Sequence, residues 1–156
     1  MKGSIAFLLA CFALTSALAT SVPQRSLEDL VRDADHVVVA TVTKVSMVNG
    51  QGKEITDRNA RTGPGLDNEI RFHLEVKEVL FSTAPEPPKL IIVPLWKMWH
   101  YSLGDIQDAL TGNTSIFLLK GDTYEPVYPQ HFERSLEERK QIEQLLRVRK
   151  RPASAP

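Results

Sequence analysis

Two stretches of the chain alternate or cluster hydrophobic residues strongly enough to predict strands without help from anything else. Residues 34–48 (Ala-Asp-His-Val-Val-Val-Ala-Thr-Val-Thr-Lys-Val-Ser-Met-Val) are rich in β-branched side chains and hold no Gly or Pro, which predicts one long strand. Its phase breaks in the middle. Val38, Ala40 and Val42 share one face, Val45 and Met47 fall on the other, and polar Thr43 and Lys44 lie between. An extra residue there, a β-bulge, would return all five to one core. Residues 70–81 give the cleanest alternation: Ile70, Phe72, Leu74 and Val76 point one way, Arg71, His73, Glu75 and Lys77 the other. A long, bulged first strand of this kind can serve both halves of a small closed barrel.

The remaining elements are shorter. Ser26, with Asp29 three residues on, reads as a capping box before Leu27, Leu30, Val31 and Ala34 at helical spacing. Residues 90–95 predict a third, mostly buried strand ending near Pro94, and 114–120 a fourth. After the tight turn at Gly121-Asp122, residues 124–128 return as a fifth strand or its edge, where Pro126 excludes a central position. Ile106, Ala109 and Leu110 suggest a short helical turn. Ser135-Leu136-Glu137-Glu138 is a second capping box, opening a helix with Leu136, Ile142, Leu145 and Leu146 on its apolar side and Arg147 and Arg149 at its end. Residues 49–69 are polar and contain glycine, so they predict a long loop, either functional or disordered.

The N-terminus changes the picture of where this domain works. Lys2, the apolar run 5–14 and Ala17-Leu18-Ala19 have the order of a secretory signal peptide. Residues 1–19 are therefore expected to be removed, leaving a domain at 20–149 and a basic, proline-containing tail, expected to be disordered, at 150–156. The leader takes with it Cys11, the only cysteine, so export would proceed without a disulfide, leaning towards a periplasmic or extracellular address in a bacterial envelope. A lipoprotein box at Leu8-Leu9-Ala10-Cys11 is the rival reading, against which stand Leu9 itself and the apolar residues past Cys11. Lys+Arg and Asp+Glu balance at 19 each, so no broad basic field points to nucleic acid.

Chemistry is sparse. His36, His73, His100 and His131 are scattered, with no HExxH or i,i+4 pairing, and neither a GxSxG elbow nor a P-loop occurs. No cofactor, metal or enzymatic activity is expected. Both tryptophans fall in Leu95-Trp96-Lys97-Met98-Trp99-His100-Tyr101. Core packing is the plain reading for Trp96 or Trp99 but not for all of them; the other reading is a binding patch of Trp96, Trp99, His100 and Tyr101. Lys53, Arg58 and Arg61 in the 49–69 loop complete the partner-binding candidates.

The order of helix, long bulged strand, long loop, alternating strand, two further strands, hairpin and closing helix describes a mainly β, five-stranded, OB-fold-like Greek-key barrel with a short N-terminal helix and a C-terminal helix. The sequence resembles the netrin-module and metalloproteinase-inhibitor (TIMP-like) branch of that fold at Ala34-Asp35-His36-Val37-Val38-Val39-Ala40 and at residues 71–81 with their Val-Lys-Glu-Val-Leu-Phe end, and more loosely at Ile116-Phe117-Leu118-Leu119 and the final helix. In that family a mature N-terminal cysteine holds the protease zinc. Here the mature chain would start near Thr20 without one, so the resemblance implies the fold and not the inhibition. The expected function is a secreted or periplasmic, non-catalytic protein-binding module (inhibitor, immunity-type protein or assembly subunit) whose partner is another envelope or secreted protein. The alternative is an OB-type oligosaccharide binder with Trp96, Trp99 and Tyr101 as the stacking platform; a hydrolase with an unrecognised site comes third.

Overall fold

The first strand, β1 (His36–Val48), is the axis of the structure, a computed structural model that describes residues 22–149. The expected leader, Cys11 and the tail at 150–156 lie outside the described residues. The elements run α1 (Leu27–Asp33), β1, β2 (Glu54–Ile55), β3 (Glu69–Ser82), β4 (Leu90–Pro94), α2 (Leu103–Leu110), β5 (Thr114–Lys120), β6 (Glu125–Pro126), β7 (Glu133–Arg134) and α3 (Arg139–Arg149). All strand pairings are antiparallel, and the sheet order is β4-β3-β1-β5-β6, with β2 added to the end of β1 and β7 to β5.

The bulge lies where the phase break in the sequence puts it. Val42 pairs with Leu74 and Lys44 with His73, which leaves Thr43 as the extra residue. Two further shifts sit on the other strand: Val37 and Val38 pair with Phe81 and Val79, and Val39 and Ala40 with Glu78 and Val76, so Leu80 and Lys77 are the unpaired extras. The Thr43 bulge returns Val45 and Met47 to the side of Val38, Ala40 and Val42, and all five join one core with Phe72, Leu74, Val93 and Phe117. The opposite face of β1 is buried as well: Val37 and Val39 pack with Ile116 and Leu118 under α1 and α3, against Leu30, Val31, Ile142 and Leu146. A strand covered on both faces explains why its first half reads as a continuous apolar run and not as an alternation.

The helices are positioned by local chemistry. Ser26 caps α1 by accepting the Asp29 amide at 3.1 Å while its hydroxyl donates to the Asp29 carboxylate at 2.7 Å. The Ser135 box is shifted by one residue: its oxygen accepts from the Glu137 amide at 3.2 Å, and a 3-10 turn over Leu136–Glu138 precedes α3. Leu136 is accordingly exposed instead of sharing the apolar side of α3. The terminal arginine of α3 does more than meet its own helix dipole. Arg149 Nη1 donates to the carbonyls of Val31 and Ala34 at 3.1 and 2.6 Å, closing the end of α1, and its guanidinium lies over the Phe81 ring at 4.4 Å.

The five-stranded closed barrel is corrected here. The described residues form a seven-stranded open sheet with three α-helices, and the fifth strand expected at 124–128 shrinks to the two residues of β6. The hydrogen-bond pattern gives the reason. Val76 N–H donates to Lys89 O and Leu95 N–H to Ile70 O, so residues 89, 91, 93 and 95 turn their backbone towards β3, and Leu90, Ile92 and Pro94 turn theirs to the free edge. Likewise Val127 N–H donates to Leu118 O, so Glu125 and Val127 face β5 and Pro126 faces away. Pro94 and Pro126 line the same gap between β4 and β6. Neither has an N–H to give, so no ladder closes that seam.

Candidate functional site

The loop at 49–69 is folded onto the rest of the domain. It starts as a hairpin: Asn49 Oδ1 accepts from the Gln51 and Lys53 amides at 3.0 and 2.9 Å, and β2 returns along β1 with Met47 opposite Ile55. Beyond it, residues 58–62 run beside the start of α2. Gly104 N–H donates to Arg58 O and Leu103 N–H to Ala60 O, and Arg61 bridges Ser102. A side chain on Gly104 would meet the Arg58 backbone at 3.1 Å, so the close approach depends on glycine.

Thr62 is the clasp. It is 1% exposed; its hydroxyl donates to Trp99 O at 2.6 Å and accepts from Tyr101 N–H at 3.2 Å, while its own amide donates to Tyr101 O. Next to it, Gly63 sits at φ 148° directly under the His100 ring, where any Cβ would collide with the imidazole. The loop and the aromatic segment, two separate candidates in the sequence, are thus one structural unit.

The aromatic residues themselves do not form one face. Trp96 and Trp99 touch at 6.1 Å between ring centroids with their planes tilted by 52°. Trp96 lines a cleft of about 440 Å³ at the open seam, with Pro94, Leu95, Pro126 and Pro129 as apolar walls and Glu69, Lys97 and Glu125 at its edges. Tyr101 turns the other way, packing on the core and lining a second hollow of about 330 Å³ with Ile106, Leu110 and Phe132. His100 lies exposed over Gly63. Of the loop cations, Arg58 is bound to Asp108 on α2, with Nη2 2.7 Å from both carboxylate oxygens, and to Gln107; Lys53 and Arg61 project from the surface.

Charge at the cleft is unevenly spent. Glu69 is engaged by Arg71 at 2.7 Å and Lys97 at 3.3 Å. Glu125 receives only a long 3.5 Å contact from the Thr123 hydroxyl. Sequence reasoning missed Glu69, Glu125 and the proline walls. The available signal was the prolines themselves, at strand positions whose backbone faces an edge. From the seam the same outward face of β4 continues through Ile92 and Leu90, which are 50% and 69% exposed.

Among the described residues two imidazole–hydroxyl pairs occur, both between strands β1 and β3. His36 is buried, with Nδ1 2.9 Å from Ser82 Oγ; that hydroxyl donates to Ala84 O, so His36 donates from Nδ1, and its Nε2 is left without a partner near the Tyr124 ring at 4.6 Å between centroids. His73 Nε2 lies 2.8 Å from Ser46 Oγ on the outer face of β1 and β3. Burial, then the Lys44 charge, holds the His73 pKa below 6.5. The unfolded chain therefore takes up this proton first as pH falls, so stability declines from about pH 6.5 downwards until folded His73 also protonates. Denaturation midpoints measured against pH should lose this share of their slope in His73→Gln; an unchanged slope would place the pH dependence elsewhere.

Among the described residues, no group of three or more His, Cys, Asp or Glu side chains gathers as a metal site, and no helix is long and apolar enough to cross a membrane. In sequence comparison, no protein-family model matches the chain and no curated protein matches it.

Proposed function

We propose that this chain is an exported, non-catalytic module that binds another protein through the outer face of β4 and the cleft at its end. The observation that carries the reading is the apolar surface formed by exposed Leu90 and Ile92 and half-buried Pro94, leading to half-buried Trp96 and ending in a walled cleft beside an anchored loop. Exposed branched aliphatics on an edge strand work against solubility unless something covers them. The leader-like residues 1–19 support export, and the order of β1, β3, β4, α2, β5 and β6 supports an OB-like barrel opened at one seam, with the TIMP-like resemblance at the level of that fold. The non-catalytic part rests on the two imidazole–hydroxyl pairs. Among the described residues no carboxylate bonds the second nitrogen of either His36 or His73, and neither histidine lines the cleft.

The oligosaccharide alternative needs stacked rings. The tilt between Trp96 and Trp99, and the inward turn of Tyr101, favour the protein reading over a three-ring platform. The test is affinity capture from an envelope or secreted fraction of the source organism, comparing the mature chain with Ile92→Lys, a solvent-facing change that spares the core. The expected result is one stoichiometric protein retained by the first and released by the second at unchanged melting temperature. Retention of a glycan with no protein partner would overturn the reading.

A further inference from the structure

We infer that the cleft at the β4–β6 seam receives an arginine side chain from the partner protein. The inference rests on the protein-binding reading and specifies its chemistry. Where the two strands flank the cleft, their edge-facing residues are prolines. Pro94 and Pro126 turn their backbones into the gap, each with a carbonyl and no N–H, and no strand lies on that side to use those carbonyls. Glu125 adds a carboxylate that makes no ion pair within 4 Å among the described residues, although Lys120 stands opposite it in the β5–β6 ladder, whereas Glu69 is already shared by Arg71 and Lys97. The carboxylate left to accept from an occupant is therefore that of Glu125.

An occupant that fits must be rich in donors, positively charged, and apolar along its length. A guanidinium on its three-carbon stem meets all of these. Its planar fork offers five N–H donors to acceptors that are spread over two carbonyls and a carboxylate. Its stem packs against Leu95 and Pro129, and its flat face stacks on Trp96, whose ring touches Trp99. A sugar hydroxyl can donate to the same carbonyls but leaves Glu125 uncompensated. An ionised carboxylate brings no donor for these acceptors. The extended flanks of such a partner segment would continue along Ile92 and Leu90.

The probe is acetyl-Gly-Leu-Arg-Leu-Gly-amide, with the citrulline peptide as its neutral isostere, titrated into the full mature chain while the Trp96 indole signal is followed by NMR. The arginine peptide should shift that signal, and the citrulline peptide should bind about tenfold more weakly, the size of one charge-assisted hydrogen bond. Glu125→Gln, a change at an exposed side chain, should remove the same factor, and Trp96→Ala should abolish binding. Equal binding of the two peptides, or no shift from either at millimolar concentration, overturns the inference. Failure of the arginine assignment is separable from failure of the module. A captured protein partner that binds Glu125→Gln and Trp96→Ala as tightly as the unaltered chain removes the arginine and leaves protein binding through Ile92 standing. A chitin oligosaccharide that shifts Trp96 where the arginine peptide does not removes both.

Discussion

Phe117→Ala should destabilise the domain by about 3–5 kcal/mol, the range for truncating a buried phenylalanine. Phe117 is fully buried at the centre of β5, opposite Val38 of β1, and its ring meets Phe132 at 6.1 Å, which in turn meets Phe72 at 6.2 Å. The cost has two parts, the lost transfer of the ring from water and the cavity left behind. The cavity should stay largely open, because apart from Phe132 its neighbours include strand residues such as Val38, held by the ladders on both sides of β5. Against a typical total of about 5–15 kcal/mol this is a large fraction of the stability. A thermal midpoint lowered by on the order of 10 °C is the expected reading. A change below about 1 kcal/mol would mean that the three-ring cluster is not packed as described.

Thr62→Val should cost about 1–3 kcal/mol, and its effect should be local as well as global. The substitution keeps the shape of the side chain and removes the hydroxyl. The Trp99 carbonyl then loses its 2.6 Å donor and the Tyr101 amide one of its acceptors, both in a part-buried setting. The rest of the attachment, the Leu103–Ala60 and Gly104–Arg58 backbone bonds, persists, so residues 57–68 should loosen without the sheet unfolding. Hydrogen exchange should show this as faster exchange at the Tyr101 amide with unchanged protection at Val38 and Phe117. Equal acceleration at all three sites would show that the loop and the sheet open together, and the clasp would lose its separate role.

The parts of this fold that the sequence made legible are those decided by periodicity. The phase break between Val42 and Val45 located the Thr43 bulge because a one-residue insertion is the only cheap way to keep five apolar side chains in one core. The alternation of residues 70–81 placed β3, and Ser26 placed α1, for equally local reasons. What failed to show were contacts between distant residues. Nothing about Thr62 in a polar loop distinguishes it from Thr56, since its burial depends on a segment almost forty positions away, with Trp99 at |i−j| = 37. Strand closure was misjudged for a related reason. Pro126 was readable as barring a central strand, but the gap exists because Pro94 faces it, and that pairing depends on the register of two different ladders. Trp96 and Tyr101, five positions apart in sequence, end up in separate hollows, because the intervening residues make a turn and not a strand.

The two facing prolines also decide what kind of selection this surface can exercise. Main-chain pairing is the least discriminating contact a sheet can offer, since every polypeptide has the same backbone and any extended segment can be templated by an exposed edge. At the seam that route is closed by covalent structure, and no change of conformation or solvent can restore the two missing N–H groups. A segment meeting the seam would find two carbonyls but no N–H there, so the full ladder of an added strand cannot form and side chains would have to carry any selection.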